Sequence, residues 1–225
     1  MSRTTTEHIS LVLDRLDSVY DHESQSPDAY STGEPIDGLI LTLLSQNTND
    51  RNRDTAYDSL RKKFPSWSDA AQASVSEIAA AIRSAGLADT KAARMKAILC
   101  KVKSDFGAFS LGEMKNWGAD RVREYLSNLH GIGPKTVACV MVFDLGLPAF
   151  PVDTHVARLS IRLGWAGPKT SPERIQDFLE SVVPPERCGG GHLNMIEHGR
   201  RVCRARGPEC VGCVLSDICP SNKTL

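Results

Sequence analysis

Apolar residues recur at helical spacing along most of the chain, and no stretch shows the alternation of apolar and polar residues that marks a half-buried strand. The pattern therefore predicts an all-α fold. The longest apolar runs, residues 39–44 and 137–143, are far shorter than the roughly 18–20 residues that cross a bilayer. No membrane-spanning segment is expected.

Capping residues predict where several helices begin and end. Ser74 and Glu77 form a capping-box pattern that opens a helix, which Gly86 can close. Asp89 can start the next helix, which Gly107 ends. The apolar residues of that second helix lie at helical spacing: Met95, Ile98 and Val102.

A later helix is predicted to start at Ser171, with Pro172 in its first turn, and to stop before Pro184. Residues 24–33 and the three glycines at 189–191 are rich in turn-forming residues, so loops are expected there.

Composition describes an ordinary globular protein of one large or two small domains. The 225 residues are 41% hydrophobic and 24% charged, and the 27 basic and 27 acidic side chains cancel. A neutral chain does not coat DNA through bulk charge, so any affinity for nucleic acid must come from local clusters. The start of the chain has no apolar stretch, so we expect a reducing, cytoplasmic setting, associated with the nucleoid if the chain is bacterial.

The first candidate for chemistry is the segment from His130 to Thr136, which contains Gly131, Gly133 and Lys135. It predicts a helix, a tight glycine turn and a second helix over residues 137–145. Glycines allow close approach of the backbone to another molecule, and a helix N-terminus favours a phosphate. A plain interhelical turn is the alternative. The following Pro and Lys-Thr favour a helix-hairpin-helix anchor for the DNA backbone.

The second candidate is Asp153, which lies where an apolar-periodic helix begins and continues to Gly164. As an N-cap, an Asp contributes about 0.5–2 kcal/mol, so the residue can be purely structural. A carboxylate held by the positive end of a helix dipole is also what a developing sugar cation needs beside it. Both roles are compatible.

Four of the seven cysteines lie close together near the C-terminus, in the spacing Cys203-x6-Cys210-x2-Cys213-x5-Cys219. Such crowding favours metal ligation over a secreted disulfide framework. Zinc ribbons and fingers supply two close pairs of ligands, whereas only Cys210 and Cys213 form such a pair here. The run suits a [4Fe-4S] cluster somewhat better, although its spacing differs from the ferredoxin patterns.

Cys100 and Cys139 lie in apolar helical patterns and are expected to be core residues. Cys188 precedes the three glycines, is expected to be partly exposed and is given no role. His198 is expected to pack beside the cysteine loop.

Taken together, the hairpin, an Asp eighteen residues after its Lys, and the four-cysteine run resemble the endonuclease III family of helix-hairpin-helix DNA glycosylases over about residues 39–219. The resemblance implies two helical domains flanking a DNA-binding cleft: residues 29–147, with the hairpin, and residues 1–28 with 148–225, with a C-terminal [4Fe-4S] cluster loop.

The resemblance also implies roles for individual residues. Lys135 would be the nucleophile and Asp153 the catalytic carboxylate. The cluster would be bound by Cys203, Cys210, Cys213 and Cys219. The chain is then a bifunctional DNA glycosylase and AP lyase that removes damaged bases, with oxidised pyrimidines the expected lesions. Its expected partner is double-stranded DNA with damaged bases or abasic sites, bound by a monomer.

Further DNA contacts follow from the resemblance. Leu87 corresponds to a Leu that the family inserts into the duplex, although a helix C-cap with an ordinary apolar contact is the alternative. The family fills the gap left by the flipped base with a Gln. Here Asn47 occupies that position and Gln46 precedes it, so either amide is a candidate. Arg204 and Arg206 match a basic loop on the phosphate backbone, or are solvated surface charges.

Two other functions remain open. A monofunctional glycosylase would use Asp153 to activate water and would need no amine, and the segment around Asp153 also resembles 5-methylcytosine and thymine-mismatch glycosylases. A non-catalytic DNA-binding module would retain the hairpin alone.

Overall fold

The computed structural model of the protein describes residues 3–23 and 31–223. None of these residues lies in a β-strand, so the predicted all-α class is confirmed. The helices described are, in chain order, α1 (Arg3–Tyr20), α2 (Pro35–Ser45), α3 (Asp50–Lys63), α4 (Trp67–Gln72), α5 (Val75–Ala81), α6 (Ala88–Phe106), α7 (Ala119–Ser127), α8 (Pro134–Cys139), α9 (Thr154–Arg162), α10 (Pro172–Val182) and α11 (Cys188–Arg201).

The chain divides into two compact units. The hairpin unit is Tyr30–Gly146, and the cysteine unit combines Met1–Ala29 with Leu147–Leu225. In the hairpin unit, α2 is the central helix, because apolar side chains on several of its sides are fully buried. These core residues are Ile36, Leu39, Ile40, Leu43 and Leu44.

The cysteine unit is built on contacts between the beginning and the end of the chain. Helix α11 packs against both α1 and α9. Tyr20 at the end of α1 forms a hydrogen bond with His198 of α11, and Asn194 donates one to Asp17. No described helix is long and apolar enough to cross a membrane.

Most of the predicted caps are present. Ser74 and Glu77 form a reciprocal capping box on α5. Gly107 ends α6 in a left-handed conformation, with φ of +68°. Ser171 caps α10, and Pro172 occupies its first turn. Local capping chemistry therefore fixed these boundaries.

The junction between α5 and α6 differs from the prediction. Helix α5 ends at Ala81 and a short 3₁₀ turn, Arg83–Ala85, precedes Gly86. Leu87, not Asp89, occupies the N-cap position of α6, because Gly86 and Leu87 both adopt positive φ and reverse the chain there. Asp89 lies in the first turn, where the positive end of the helix dipole stabilises its negative charge.

The helix after the hairpin is also not uniform. Helix α8 covers Pro134–Cys139, and the backbone continues as a wider π-helical segment over Val140–Asp144. At the end of this segment, Asp144 accepts hydrogen bonds from the backbone N–H and the hydroxyl of Thr32, at 3.2 and 2.9 Å.

The loop predicted at residues 189–191 is wrong, because these glycines belong to α11. A Cβ on Gly190 would lie 2.6 Å from the Cα of Glu23, and one on Gly191 would lie 3.2 Å from Leu13. The glycines thus allow a close approach to the first helix and the residues after it. Of the other predicted loop, residues 24–30 lie outside the described residues.

Candidate active site

The helix-hairpin-helix geometry is present between α7 and α8. The turn is closed by a hydrogen bond from the N–H of Ile132 to the carbonyl of Leu129, at 3.1 Å. Gly131 has φ of +82°, and a Cβ there would lie 2.4 Å from the side chain of Arg94. Gly133 is the N-cap residue of α8, and Pro134 follows at its first position. The positive φ therefore favours glycine at Gly131, and any larger residue would also have to displace the Arg94 side chain.

Lys135 lies in the first turn of α8, directly after this turn, and its side chain is half-buried. It belongs to the hairpin unit, whereas Asp153 belongs to the cysteine unit.

The two candidate amides of the amide loop, residues 45–48, have different environments. Gln46 donates from Nε2 to the carbonyl of Gly131 at 3.3 Å and accepts from Arg94 at 3.2 Å. Its side chain is thus bound to the hairpin. Asn47 is exposed and left-handed, with φ of +53°. Of the two amides, Asn47 is the one presented to solvent.

Leu87 lies in the leucine loop, residues 86–88, and is 61% exposed. Its φ of 48° and ψ of 36° place it in the left-handed region, which an L-residue other than Asn or Asp rarely adopts. A buried apolar contact at a helix end, the alternative to the wedge, does not fit this exposure.

Asp153 is the N-cap of α9, as predicted. Its Oδ1 accepts from the backbone N–H groups of His155 and Val156, at 2.9 and 2.8 Å. Among the described residues, no hydrogen bond to Oδ2 is formed. One oxygen therefore caps the helix and the other remains available for a second role.

The four clustered cysteines line one cavity of about 30 Å³ that is partly open to solvent. They are Cys203, Cys210, Cys213 and Cys219. Within the described parts of the chain, no three His, Cys, Asp or Glu side chains lie close enough to bind a single metal ion. The four thiols line the cavity without converging on a single point.

Buried and basic groups surround this cavity. His198 is buried, its Nε2 lies 3.6 Å from Cys213 Sγ, and burial lowers its pKa to about 4. Arg162 of α9 donates to Cys203 Sγ at 3.1 Å and to the carbonyl of Arg204 at 2.8 Å. The helix that Asp153 caps is thus hydrogen-bonded to the cysteine loop.

The two arginines of the loop are not equivalent. Arg204 pairs with Glu209 at 2.7 Å, whereas Arg206 is exposed and has no ion pair among the described residues. Arg206 therefore offers the less compensated charge.

Of the three remaining cysteines, two differ in burial from expectation. Cys139 is buried as predicted, but Cys100 is exposed because it lies on the outer face of α6. Cys188 is buried and not partly exposed, and burial raises the pKa of its thiol to about 12.

The sequence did not single out Lys91, Arg94 or Arg162, although each binds a candidate site residue or loop. Lys91 carried a signal: it lies four and seven residues before Met95 and Ile98, in phase with the buried face of α6. A charged residue within an apolar stripe indicates a buried polar contact.

The chain matches the model of the HhH-GPD superfamily of base excision DNA repair proteins over residues 40–185. It therefore belongs to this superfamily. A protein of Arabidopsis thaliana named "Putative DNA glycosylase" is 40% identical over 189 residues, which are 81% of this chain and 64%, less than two thirds, of that protein.

Endonuclease III of Thermotoga maritima is 32% identical over 193 residues, 86% of each chain. A solved structure of a trapped endonuclease III–DNA covalent intermediate is 29% identical, with a TM-score of 0.82 and 97% of each chain covered.

Proposed function

We propose that this chain is a bifunctional DNA N-glycosylase and AP lyase of base excision repair. Its substrate is duplex DNA carrying an oxidised pyrimidine, which is flipped out of the stack before the chemistry begins. Lys135 is the nucleophile and Asp153 the carboxylate that stabilises positive charge on the sugar.

The reaction is an exchange of bonds at C1′ followed by an elimination. The neutral amine of Lys135 attacks C1′, and the glycosidic C–N bond breaks as the base leaves with the electron pair and gains a proton. Opening of the sugar ring gives a Schiff base between Nζ and C1′. Loss of a C2′ proton then expels the 3′ phosphate and nicks the strand.

The observation that carries this proposal is the position of Lys135, half-buried in the first turn of α8, immediately after the Gly131–Gly133 turn. The endonuclease III relative that was trapped covalently on DNA supports a covalent step. The open Oδ2 of Asp153 supports its role beside the sugar.

Borohydride trapping tests the lyase. Wild-type protein on a duplex with thymine glycol or dihydrouracil should become covalently bound to DNA, because borohydride reduces the Schiff base. Lys135→Gln should lose trapping and nicking yet keep DNA binding, since the hairpin remains intact. Lys101→Gln, which changes an exposed lysine of α6 paired with Asp105, is the matched control and should trap like wild type.

Trapping that persists in Lys135→Gln would assign the nucleophile to another amine. Base release without trapping in wild-type protein would favour the monofunctional glycosylase. A higher rate on 5-methylcytosine or on thymine opposite guanine than on the oxidised pyrimidines would contradict the proposed substrate class.

The four thiols suit a [4Fe-4S] cluster. In a zinc site all sulfurs lie about 2.3 Å from one ion, whereas here they are distributed around a cavity. A cubane cluster uses four thiolates on four irons. Its bonds would fold residues 203–219, because metal–thiolate binding free energy is also folding free energy.

Metal analysis tests the cluster. Protein purified without oxygen should contain about four irons per chain and be yellow-brown, and Cys213→Ala should lose both iron and stability. Stoichiometric zinc without iron would contradict the proposal. Cys188→Ala is the matched control, because this buried cysteine lies outside the cavity.

A further inference from the structure

Two exposed residues of the hairpin unit adopt the left-handed backbone conformation. Asn47 and Leu87 are the non-glycine residues with positive φ in that unit, as far as the structure describes it. Asn tolerates the left-handed region, but Leu does not. Neither residue is buried, so contacts of their own side chains do not impose this geometry.

The residue that directly precedes each loop is hydrogen-bonded to the same buried ammonium group. Lys91 is 1% exposed, and its Nζ donates to the carbonyls of Leu44 at 2.7 Å and Ala85 at 2.8 Å. Leu44 lies three residues before Asn47, and Ala85 lies two residues before Leu87. The two carbonyl oxygens are therefore separated by no more than the sum of those distances.

The position suits a cation. Leu44 lies in the last turn of α2, where carbonyls lack helical partners and the helix dipole is negative. Ala85 ends the 3₁₀ turn before Gly86. Burial lowers the pKa of Lys91, because it disfavours the charged ammonium group. Hydrogen bonds to the two carbonyls offset this desolvation cost.

We propose that Lys91 is a positioning residue that fixes the backbones of the amide loop and the leucine loop together, so that Asn47 and Leu87 meet the duplex as one preorganised pair. This inference rests on the proposed glycosylase function. Lys91 itself is buried and acts through the two backbones.

The variant that tests the proposal is Lys91→Met, which keeps the length of the side chain and removes the donors. Lys96→Met is the matched control, because Lys96 lies on the same helix and donates to a single backbone carbonyl, that of Ala73, outside both loops. Three measurements separate positioning from general stability.

The first measurement is single-turnover excision. Lys91→Met should excise a base from a duplex at least about 10-fold more slowly than Lys96→Met, the equivalent of one lost charged hydrogen bond. Trapping on a preformed abasic site should change much less, because no base has to be extruded. Equal excision by the two variants would overturn the proposal.

The second measurement is a double-mutant cycle. If Lys91 acts through Leu87, the Lys91→Met change should have a much smaller effect on excision in a Leu87→Ala background. Fully additive effects would show that Lys91 contributes only to stability.

The third measurement needs no enzymatic activity. Amide hydrogen exchange at residues 45–48 and 86–88 should become faster in Lys91→Met and not in Lys96→Met. Wild-type protein without excision activity would refute the proposed function alone. Unchanged amide exchange in Lys91→Met would refute the positioning role of Lys91 alone. If Lys91→Met fails to fold, Lys91→Gln replaces it: its shorter side chain keeps a polar group in the site but cannot reach both carbonyls as Nζ does, so slower excision and faster exchange are expected again.

Discussion

Asp153 caps α9 through Oδ1, and the proposed function gives its carboxylate a second, chemical role. Asp153→Asn keeps an oxygen for the N-cap, so the free energy of unfolding should change by less than about 1 kcal/mol. Base release should fall by about 100-fold or more, because a neutral amide does not stabilise a sugar cation. Asp153→Ala, which loses the cap, should also unfold more easily by about 0.5–2 kcal/mol. Thermal unfolding and single-turnover excision distinguish the two variants.

An Asn variant as unstable as the Ala variant would mean that Oδ1 does not cap α9. An Asn variant with normal base release would remove Asp153 from the chemistry.

Leu87 is exposed and adopts a strained left-handed conformation. The strain is expected to lower the stability of the fold, whereas the exposed side chain is expected to speed excision. Leu87→Gly removes a left-handed L-residue, which costs about 1–2 kcal/mol, but adds flexibility to the unfolded chain. We expect the free energy of unfolding to stay equal or to rise by up to about 1 kcal/mol, while excision slows. Leu87→Ala should slow excision without relieving the strain. A loss of stability in the Gly variant would show that Leu87 makes a stabilising contact.

Arg206 and Arg204 should contribute unequally to DNA affinity. Arg206→Ala should reduce the salt slope of DNA binding by about one, because one phosphate contact releases about one counterion. Arg204→Ala should reduce it less, since Glu209 already compensates its charge. Binding titrations at several salt concentrations measure both slopes. A larger effect for Arg204 would mean that its ion pair opens on DNA.

At the scale of the elements, α2 packs closely against the π-helical segment Val140–Asp144 at Gly38. A Cβ on Gly38 would lie 1.9 Å from Asp144 Oδ2. Gly38→Ala should therefore lower the free energy of unfolding by about 1–3 kcal/mol through overpacking. Gly167→Ala is the control, because a Cβ there makes an ordinary contact at 3.6 Å. Chemical unfolding measures the difference, and equal stability of the two variants would contradict the packing described.

Local signals predicted the elements well where a cap or a left-handed glycine decided the boundary, as at Ser74, Gly107 and Ser171. They failed at residues 189–191, because those glycines are selected by contact with residues near the start of the chain. In the candidate site, too, the local features were predictable and the long-range contacts were not. The cysteine spacing and the hairpin are local, whereas Lys91 bonds Leu44, 47 residues away along the chain, and Arg162 bonds Cys203, 41 residues away.

At the scale of the whole molecule, Asp144 couples stability to pH. It is 8% exposed, and burial raises the pKa of its carboxyl to about 6 despite the hydrogen bonds from Thr32. The folded protein then binds this proton more tightly than the unfolded chain. The cost of the buried charge, at most about 3 kcal/mol, is present above about pH 6 and disappears as the pH falls towards about 4.

Asp144→Asn keeps an acceptor for Thr32 and removes the charge. It should therefore be more stable than wild type at neutral pH, with a difference that vanishes near pH 4. Chemical unfolding across this range measures the difference. A difference independent of pH would show that the carboxyl does not titrate differently in the folded state.

The cysteine unit combines the two ends of the chain, and this has a consequence for synthesis on the ribosome. Helix α1 is translated first, but its partner α11 is translated late: Tyr20 and His198 are 178 residues apart. At about 5–20 residues per second, the apolar face of α1 waits roughly 10–40 s for its partner. The contiguous hairpin unit is completed in the meantime. The nascent chain therefore carries the whole hairpin unit together with a helix whose apolar face still lacks its partner, and such exposed apolar surface is prone to aggregation.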